Sequence, residues 1–365
     1  MARRQTLRRA WWQIHKWTGL SLMILLIPLG LSGVVLAWDD AIDQALNPQR
    51  YAVHGTATQP PSVYAAAARR ALHPDEHIAT IRYPDGAGPV IVLASRVATA
   101  GARHGPPLRI SLWLDPVDAH PLDLTRGDRG FVRIAHNFHG SLFVPGVGRA
   151  VVGLLGVAMF LMAAGGVWLW WPTVGQVSAG LRWRRGDRKL DTNLHHRVGF
   201  WIALPLAFQA VTGVWIAWPQ MIAAVGLAAP PRGGMADRMR AVPLEHTALT
   251  PDQALAAAEA VVPGAPASIA WPAGKDGPWR LSISAATGPS DVTVDDATGA
   301  ATVAPPRGGL ALPVRHLHDG STLGIGWRVV MVAWGVAPTL LGITGLLMWW
   351  RGRRWRSEPA RRTAR

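Results

Sequence analysis

The sequence predicts an internally duplicated α-helical membrane protein with four transmembrane helices and two external α+β domains. Three observations predict this class: four long apolar runs, a one-sided distribution of basic residues, and a close match between the two halves of the chain. The length of 365 residues would also allow two or three soluble domains. The hydrophobic residues, 49% of the chain, are however concentrated in the four runs, and this favours a membrane protein.

Each apolar run is long enough to cross a bilayer, which takes about 20 mostly apolar residues. The runs cover roughly residues 17–38, 148–171, 198–218 and 327–350. None contains Lys, Asp or Glu, and Arg149 and Arg328 stand at the starts of their runs. A cleaved signal peptide is an alternative for the first run, because basic residues precede it. Its length and the presence of an internal copy favour a retained helix.

The basic residues indicate how the chain is oriented. The net charge is +15, and Arg and Lys cluster before the first run, between the second and third runs, and after the fourth. By the positive-inside rule, both termini and the basic loop then face the cytoplasm, while the larger segments 40–147 and 219–326 lie on the other side. This distribution argues for contact with membrane lipid and against nucleic acid as a partner.

Two segments in the first half of the chain align without gaps with two segments in the second half. Residues 15–38 match residues 195–218, and residues 139–171 match residues 318–350. The alignment pairs several chemically distinctive residues, namely His15 with His195, Gly19 with Gly199, Ser32–Gly33 with Thr212–Gly213, His139 with His318, and Arg149 with Arg328. We interpret the chain as a duplication of one helix–domain–helix unit.

The external segments also resemble each other. Each begins with an alanine-rich amphipathic helix, breaks at Pro74 or Pro263, and continues with strand-like alternation. Each then has a further strand and a turn, in "LWLDPVDAHPL" and "VTVDDATGAATV". The pattern predicts one α+β domain in each segment.

The predicted organisation divides the chain into eight parts. In order they are the N-terminal tail with the first helix (1–39), the first external domain (40–135), a histidine segment with the second helix (136–171), a basic cytoplasmic loop (172–197), the third helix (198–218), the second external domain (219–314), a histidine segment with the fourth helix (315–350), and a basic tail (351–365).

Four motifs relate the chain to a known family. They are "IHKWTGL", "LHHRVGFW", "NFHGSLFVPGVGR" and "HLHDGSTLGIGWR". With the domain order, they make nearly the whole chain resemble the PepSY-associated transmembrane family. The resemblance implies two periplasmic PepSY-like domains, a bacterial inner-membrane location, and the activity of the haem-containing ferric-siderophore reductases in that family.

The histidines are the candidate cofactor ligands. The chain has no Cys, which excludes zinc–thiolate sites, iron–sulfur clusters and covalently attached haem. Of the 13 His residues, the duplication retains His15, His195, His139 and His318. The predicted topology places the first two at the cytoplasmic end and the last two at the external end. Since two neutral imidazoles can bind haem iron from opposite sides, we predict two b-type haems, one for each pair.

Other residues are assigned supporting roles. His196, His136 and His316 are possible alternate ligands or neighbours of the ligands, and His196 is an alternative to His195. Gly19 and Gly199 follow a ligand by one helical turn and would leave clearance for a flat macrocycle. Candidate partners of the haem propionates are Arg149, Arg328, Lys16 and Arg197. We interpret Ser32–Gly33 and Thr212–Gly213 as helix-packing positions.

The predicted function combines the two haems with the family resemblance. Electrons would enter at the cytoplasmic haem and pass to the external haem. The resemblance implies that they then reduce a periplasmic ferric siderophore, with release of Fe(II). No nucleotide-binding glycine motif is present, so the donor would be a separate protein or a quinol. The basic loop is chiefly a topology signal, with docking of an acidic donor as the alternative.

Two other functions are alternatives. The chain could be a non-enzymatic, membrane-anchored PepSY protein that binds peptides or inhibits a protease. A transporter would need polar groups near the bilayer midplane, for which Gln209 and Thr344 are the nearest candidates.

Overall fold

The computed structural model of the chain describes residues 2–96, 108–127, 129–171, 190–226, 242–274, 277–304, 310–321 and 323–357. Most of the predicted basic loop (172–189) and the end of the basic tail (358–365) lie outside the described residues. The chain divides into two compact units. The first, here called the membrane unit, contains described residues of 1–39, 134–230 and 309–365, and the second, the sheet unit, those of 40–133 and 231–308.

The α-helices in chain order are α1 (Ala2–Ala37), α2 (Asp39–Leu46), α3 (Pro61–Ala71), α4 (Phe131–Ser141), α5 (Gly148–Trp170), α6 (Leu190–Ala217), α7 (Pro219–Ala224), α8 (Pro251–Val261), α9 (Ala311–Asp319) and α10 (Gly324–Ser357). The strands are β1 (Glu76–Arg82), β2 (Val90–Arg96), β3 (Leu108–Leu114), β4 (Pro121–Arg126), β5 (Ala265–Ala270), β6 (Trp279–Ala285), β7 (Gly288–Val294) and β8 (Ala301–Val303).

Four helices among the described residues are long and apolar enough to cross a membrane, and they coincide with the four apolar runs. They lie within α1, α5, α6 and α10. Helix α6 begins at Leu190, earlier than the predicted residue 198, because a polar turn precedes the apolar run. Asp191 stands in this first turn, where the helix dipole stabilises a carboxylate. Its side chain accepts a hydrogen bond of 3.2 Å from Arg351. His195, His196 and Arg197 therefore lie inside the helix and not in the preceding loop.

Glycines allow a close contact between two helices of the membrane unit. Helix α1 packs along α10, and α5 along α6. Where α1 crosses α10, a Cβ atom added at Gly30 would lie 2.5 Å from the carbonyl oxygen of Gly335. Since lipid gives no hydrophobic drive for helix association, such close backbone contact is the main source of attraction.

The sheet unit differs from the two separate domains that the sequence predicts. Its described strands form one antiparallel sheet in the order β4-β3-β2-β1-β5-β6-β7-β8. The two segments join where β1 pairs with β5, with Ile81 opposite Ile269. Each segment alone would leave the edge of β1 or β5 with unpaired backbone groups, and pairing removes both edges. The predicted order of helix then strand holds in both segments, as α3 precedes β1 and α8 precedes β5.

One hydrophobic core serves the whole sheet. Side chains from α3 and α8 meet residues from both halves of the sheet in this core. Its largest fully buried members include Tyr64, Ile81, Leu112, Trp279 and Leu281. A shared core explains why the two segments form one unit.

A buried carboxylate ties β1 to its neighbours. The side chain of Glu76 is fully buried (0% exposed) and accepts hydrogen bonds of 2.8 Å from both Arg126 and Arg96. Burial alone would raise the pKa of Glu76, but the bonds from Arg126 and from the His73 backbone outweigh burial and lower this pKa below 4.5. A lowered pKa means that the ionised carboxylate stabilises the fold above about pH 4.5. This contribution to stability is lost as the pH falls through the pKa that Glu76 has in the folded protein.

We expect Glu76→Gln to lower the unfolding free energy of the sheet unit by about 2 kcal/mol at pH 7. This is less than for a fully buried pair, because both arginines are about one-third exposed. The variant should also lose less stability than the unmodified protein when the pH is lowered below about 4.5. Hydrogen exchange of β1–β3 peptides in the detergent-solubilised full chain measures both effects. Glu245→Gln, at an exposed position, is the control. Equal acid sensitivity of Glu76→Gln and the unmodified protein would contradict the assignment.

Candidate functional site

Two short helices bring His139 and His318 together. Helix α4 carries His139, and α9 carries His318 just before Gly320, whose φ of 72° ends the helix in the left-handed region. The ring centres of the two histidines are 6.4 Å apart, with their planes inclined by 53°. A bond from imidazole to a metal ion is about 2 Å long, so two rings that bind one ion from opposite sides have centres roughly 6 Å apart. The observed separation suits shared ligation.

Backbone-anchored hydroxyls hold these two rings. Nδ1 of His139 lies 3.0 Å from Ser32 Oγ, and Ser32 donates its own hydrogen to the carbonyl oxygen of Leu29 at 2.8 Å. Nδ1 of His318 lies 2.9 Å from Thr212 Oγ1, which donates to the carbonyl oxygen of Phe208 at 3.0 Å. A hydroxyl has one hydrogen. Because a carbonyl oxygen can only accept, each hydroxyl hydrogen goes to the backbone and each ring donates from Nδ1. Nδ1 of His139 also lies 3.0 Å from the carbonyl oxygen of Leu29, which is a second acceptor.

This arrangement sets the chemistry of His139 and His318, here called the outer pair because the sequence predicts them at the external end. Because Nδ1 carries the hydrogen, Nε2 keeps its lone pair and can bind a metal ion. Desolvation by the surrounding protein lowers the pKa of His139, and desolvation together with His139 lowers the pKa of His318 to about 4. Both imidazoles are therefore uncharged at neutral pH.

Glycines next to the hydroxyls make room for the rings. A Cβ atom at Gly33 would lie 3.1 Å from Cε1 of His139, and one at Gly213 would lie 3.2 Å from Cε1 of His318. Our interpretation of these hydroxyl–glycine pairs as helix-packing positions was therefore incomplete, since they contact the histidines. The signal in the sequence was the repetition of a hydroxyl–glycine pair in both halves, at matched distances from His15 and His195.

His15 and His195 line one cavity in the membrane unit. Its volume is about 1110 Å³, which slightly exceeds the usual range of ligand pockets, about 300–1,000 Å³. Gly19 and Gly199 line it too, with His196. Its remaining wall is mainly apolar, and cationic side chains also contribute, namely Arg8, Arg9, Lys16 and Arg353. The cavity is thus large enough for a flat, mostly apolar group with anionic substituents.

A third hydroxyl holds His195. Its Nδ1 lies 3.0 Å from Thr344 Oγ1, and Thr344 donates to the carbonyl oxygen of Leu340 at 2.7 Å. Gly345 follows, with its Cβ position 3.5 Å from Cε1 of His195. Thr344 and Gln209, considered above as polar groups for transport, both contact histidines, since Gln209 donates to the carbonyl oxygen of His318 at 2.9 Å.

The other predicted residues occupy varied positions. His136 lies exposed on α4 and His316 lies half-buried on α9, each on the helix of an outer histidine. Lys16 lines the cavity, whereas Arg197, Arg149 and Arg328 are not among its lining residues. Arg149 donates to the carbonyl oxygen of Ile216 at 2.5 Å. The cavity cations Arg8, Arg9 and Arg353 were not predicted as site residues, because basic residues clustered beside apolar runs indicate only the topology of the chain.

A family model described as PepSY-associated TM region matches residues 12–352. No curated protein matches the chain.

Proposed function

Because the chain belongs to the PepSY-associated transmembrane family, we propose that it is a haem-dependent electron-transfer protein of the bacterial inner membrane that reduces a periplasmic ferric siderophore. His139 and His318 would bind the outer b-type haem, and His15 and His195 the inner one. The facing imidazoles of His139 and His318, 6.4 Å apart with Nδ1 held by hydroxyls, carry the proposal.

The donor set of the outer pair fits haem iron. Haem, when bound, supplies reversible one-electron transfer. The protein's own residues orient the ligands: Ser32 and Thr212 accept the Nδ1 hydrogens, and Gly33 and Gly213 allow the rings to approach α1 and α6. Hydrogen-bonded partners of this kind fix the ring orientation and raise the basicity of the ligand.

The inner pair fits the same cofactor. Its cavity is mostly apolar and is bounded by imidazoles, glycines and several cations. Haem combines an apolar macrocycle with two anionic propionates, and Arg and Lys bind carboxylates strongly. Arg8, Arg9, Lys16 and Arg353 are therefore the proposed propionate partners at this end.

The topology gives the direction of electron flow. The positive-inside rule assigns the inner pair to the cytoplasmic end and the sheet unit to the periplasm. Each of the two aligned halves of the chain would supply one histidine to each haem. Electrons would come from a separate protein or a quinol, pass from the inner to the outer haem, and reduce siderophore-bound Fe(III). The hard oxygen ligands of the siderophore hold Fe(II) less firmly, so the iron is released.

The optical spectrum of the purified full chain tests the proposal. We expect the sharp visible bands of reduced bis-histidine haem and about two haems per chain. Mixing the reduced protein with a ferric hydroxamate siderophore should reoxidise the haems and yield Fe(II), trapped by a coloured chelator. A protein that only anchors peptide-binding domains would show no visible bands, and this outcome would contradict the proposal. Bands without reoxidation would contradict the siderophore as substrate.

A further inference from the structure

The inner histidines are not anchored alike. His139, His318 and His195 each have a hydroxyl at Nδ1, from Ser32, Thr212 and Thr344. When residues 139–171 are aligned with residues 318–350, Gly165–Gly166 stand in the place of Thr344–Gly345. The second glycines are equivalent in space, since Gly166 faces Cε1 of His15 at 3.2 Å and Gly345 faces Cε1 of His195 at 3.5 Å. His15 thus occupies the matching position without the hydroxyl.

An indole fills the space where the hydroxyl would be. A Cβ atom at Gly165 would lie 2.5 Å from Nε1 of Trp11. Both Nδ1 of His15 and Nε1 of Trp11 are buried, and neither has a hydrogen-bond partner within the part of the chain that the structure describes. An indole N–H is a donor only. It cannot accept the hydrogen of His15 Nδ1, so Trp11 does not replace Thr344 chemically.

The missing hydrogen bond weakens His15 as a ligand. Removing the partner of a metal-bound histidine typically costs about 10- to 100-fold in metal affinity, because the ring loses orientation and basicity. His15 also borders the cavity, and Met162, a flexible side chain, lies in the same wall.

We propose that His15 is the exchangeable ligand of the inner haem, and that a small neutral ligand such as carbon monoxide binds in its place while His195 stays bound. This inference rests on the proposed function. In the exchange, the bond between iron and Nε2 of His15 breaks and a bond between iron and carbon forms. No electron is transferred, and His15 keeps its Nδ1 hydrogen.

Carbon monoxide titration of the dithionite-reduced full chain tests the inference. We expect a carbonyl spectrum from half of the haem, while the outer haem keeps its bis-histidine bands. Thr212→Val, which removes an outer anchor, should make the second haem reactive, whereas Thr212→Ser should not. The serine variant keeps the hydroxyl, so this pair separates the hydrogen bond from a general structural disturbance.

Installing the missing anchor is the complementary test. Trp11→Ala with Gly165→Thr supplies both the space and the hydroxyl, and it should lower the carbon monoxide affinity of the inner haem by about 10-fold or more. Trp11→Ala alone opens the space without an acceptor and should keep or raise that affinity. These two variants differ only at residue 165.

The outcomes separate the two proposals. Absence of haem bands would overturn the proposed function and this inference with it. Normal bands without a carbonyl adduct would overturn the inference alone. An adduct that is unchanged by Trp11→Ala/Gly165→Thr but altered by Thr212→Val belongs to the outer haem, and this result would also overturn the inference.

Discussion

His318→Ala is expected to remove the outer haem and leave the inner one, so that the haem content falls from about two to about one per chain. The outer iron would keep only His139 as an axial ligand, and the loss of one of two axial bonds weakens the hold on a cofactor that has no covalent attachment. The rate of electron transfer to a ferric siderophore should fall by at least about 100-fold. Removing only the hydrogen-bonded partner of a metal ligand costs up to about 100-fold in activity, and this variant removes the ligand itself. The haem-to-protein ratio and the visible spectrum measure the change.

Histidines on the same short helices provide matched controls. His136→Ala lies on α4, one turn before His139, and His316→Ala lies on α9, two residues before His318. Both variants should keep two haems. His139→Ala should behave as His318→Ala does, and His195→Ala should remove the inner haem. His15→Ala should lower the content of the inner haem less than His195→Ala does, because the anchored ligand His195 remains. Full haem content in all the variants of His15, His139, His195 and His318 would show that the ligand assignment is wrong.

Gly335→Leu is expected to prevent stable packing of α1 against α10. A Cβ atom at Gly335 would lie 2.5 Å from Cγ2 of Val34 and 2.8 Å from the carbonyl oxygen of Gly30. Overpacking costs about 1–3 kcal/mol where side chains can adjust. A backbone carbonyl cannot turn aside, so we expect a loss of at least about 3 kcal/mol. Thermal unfolding in detergent and the yield of monodisperse protein measure it.

Gly326→Leu on the same helix is the control for helix propensity and added bulk. A Cβ atom at Gly326 meets nothing within 4 Å, so this variant should be as stable as the unmodified protein or slightly more stable. If the two leucine variants unfold at the same temperature, the close approach of Gly30 and Gly335 does not stabilise the membrane unit.

The membrane helices were predictable because their signal is local. About 20 consecutive apolar residues suffice to identify a span, whatever the helix packs against. The helix-then-strand order in each half of the sheet unit was predictable for the same reason, since Pro74 and Pro263 mark the breaks. The pairing of β1 with β5 was not predictable. The alternation of apolar and polar residues along a strand shows which face of the strand is buried, but it does not show which strand lies beside it.

The candidate site also has some features that the sequence predicts and others that it does not. The matched positions of four histidines in aligned segments could be predicted from the sequence, and the family resemblance supplied haem as the expected ligand. These histidines are His15, His195, His139 and His318. Folding of the chain then brings Ser32, Thr212 and Thr344 to three of these rings, and an indole to the fourth. These partners are far apart in the chain, as with Ser32 and His139, and they meet only where helices cross. Alignment of the two halves identifies residues at the same position of each repeat. A hydrogen bond joins different residues on different helices, so the alignment does not reveal it.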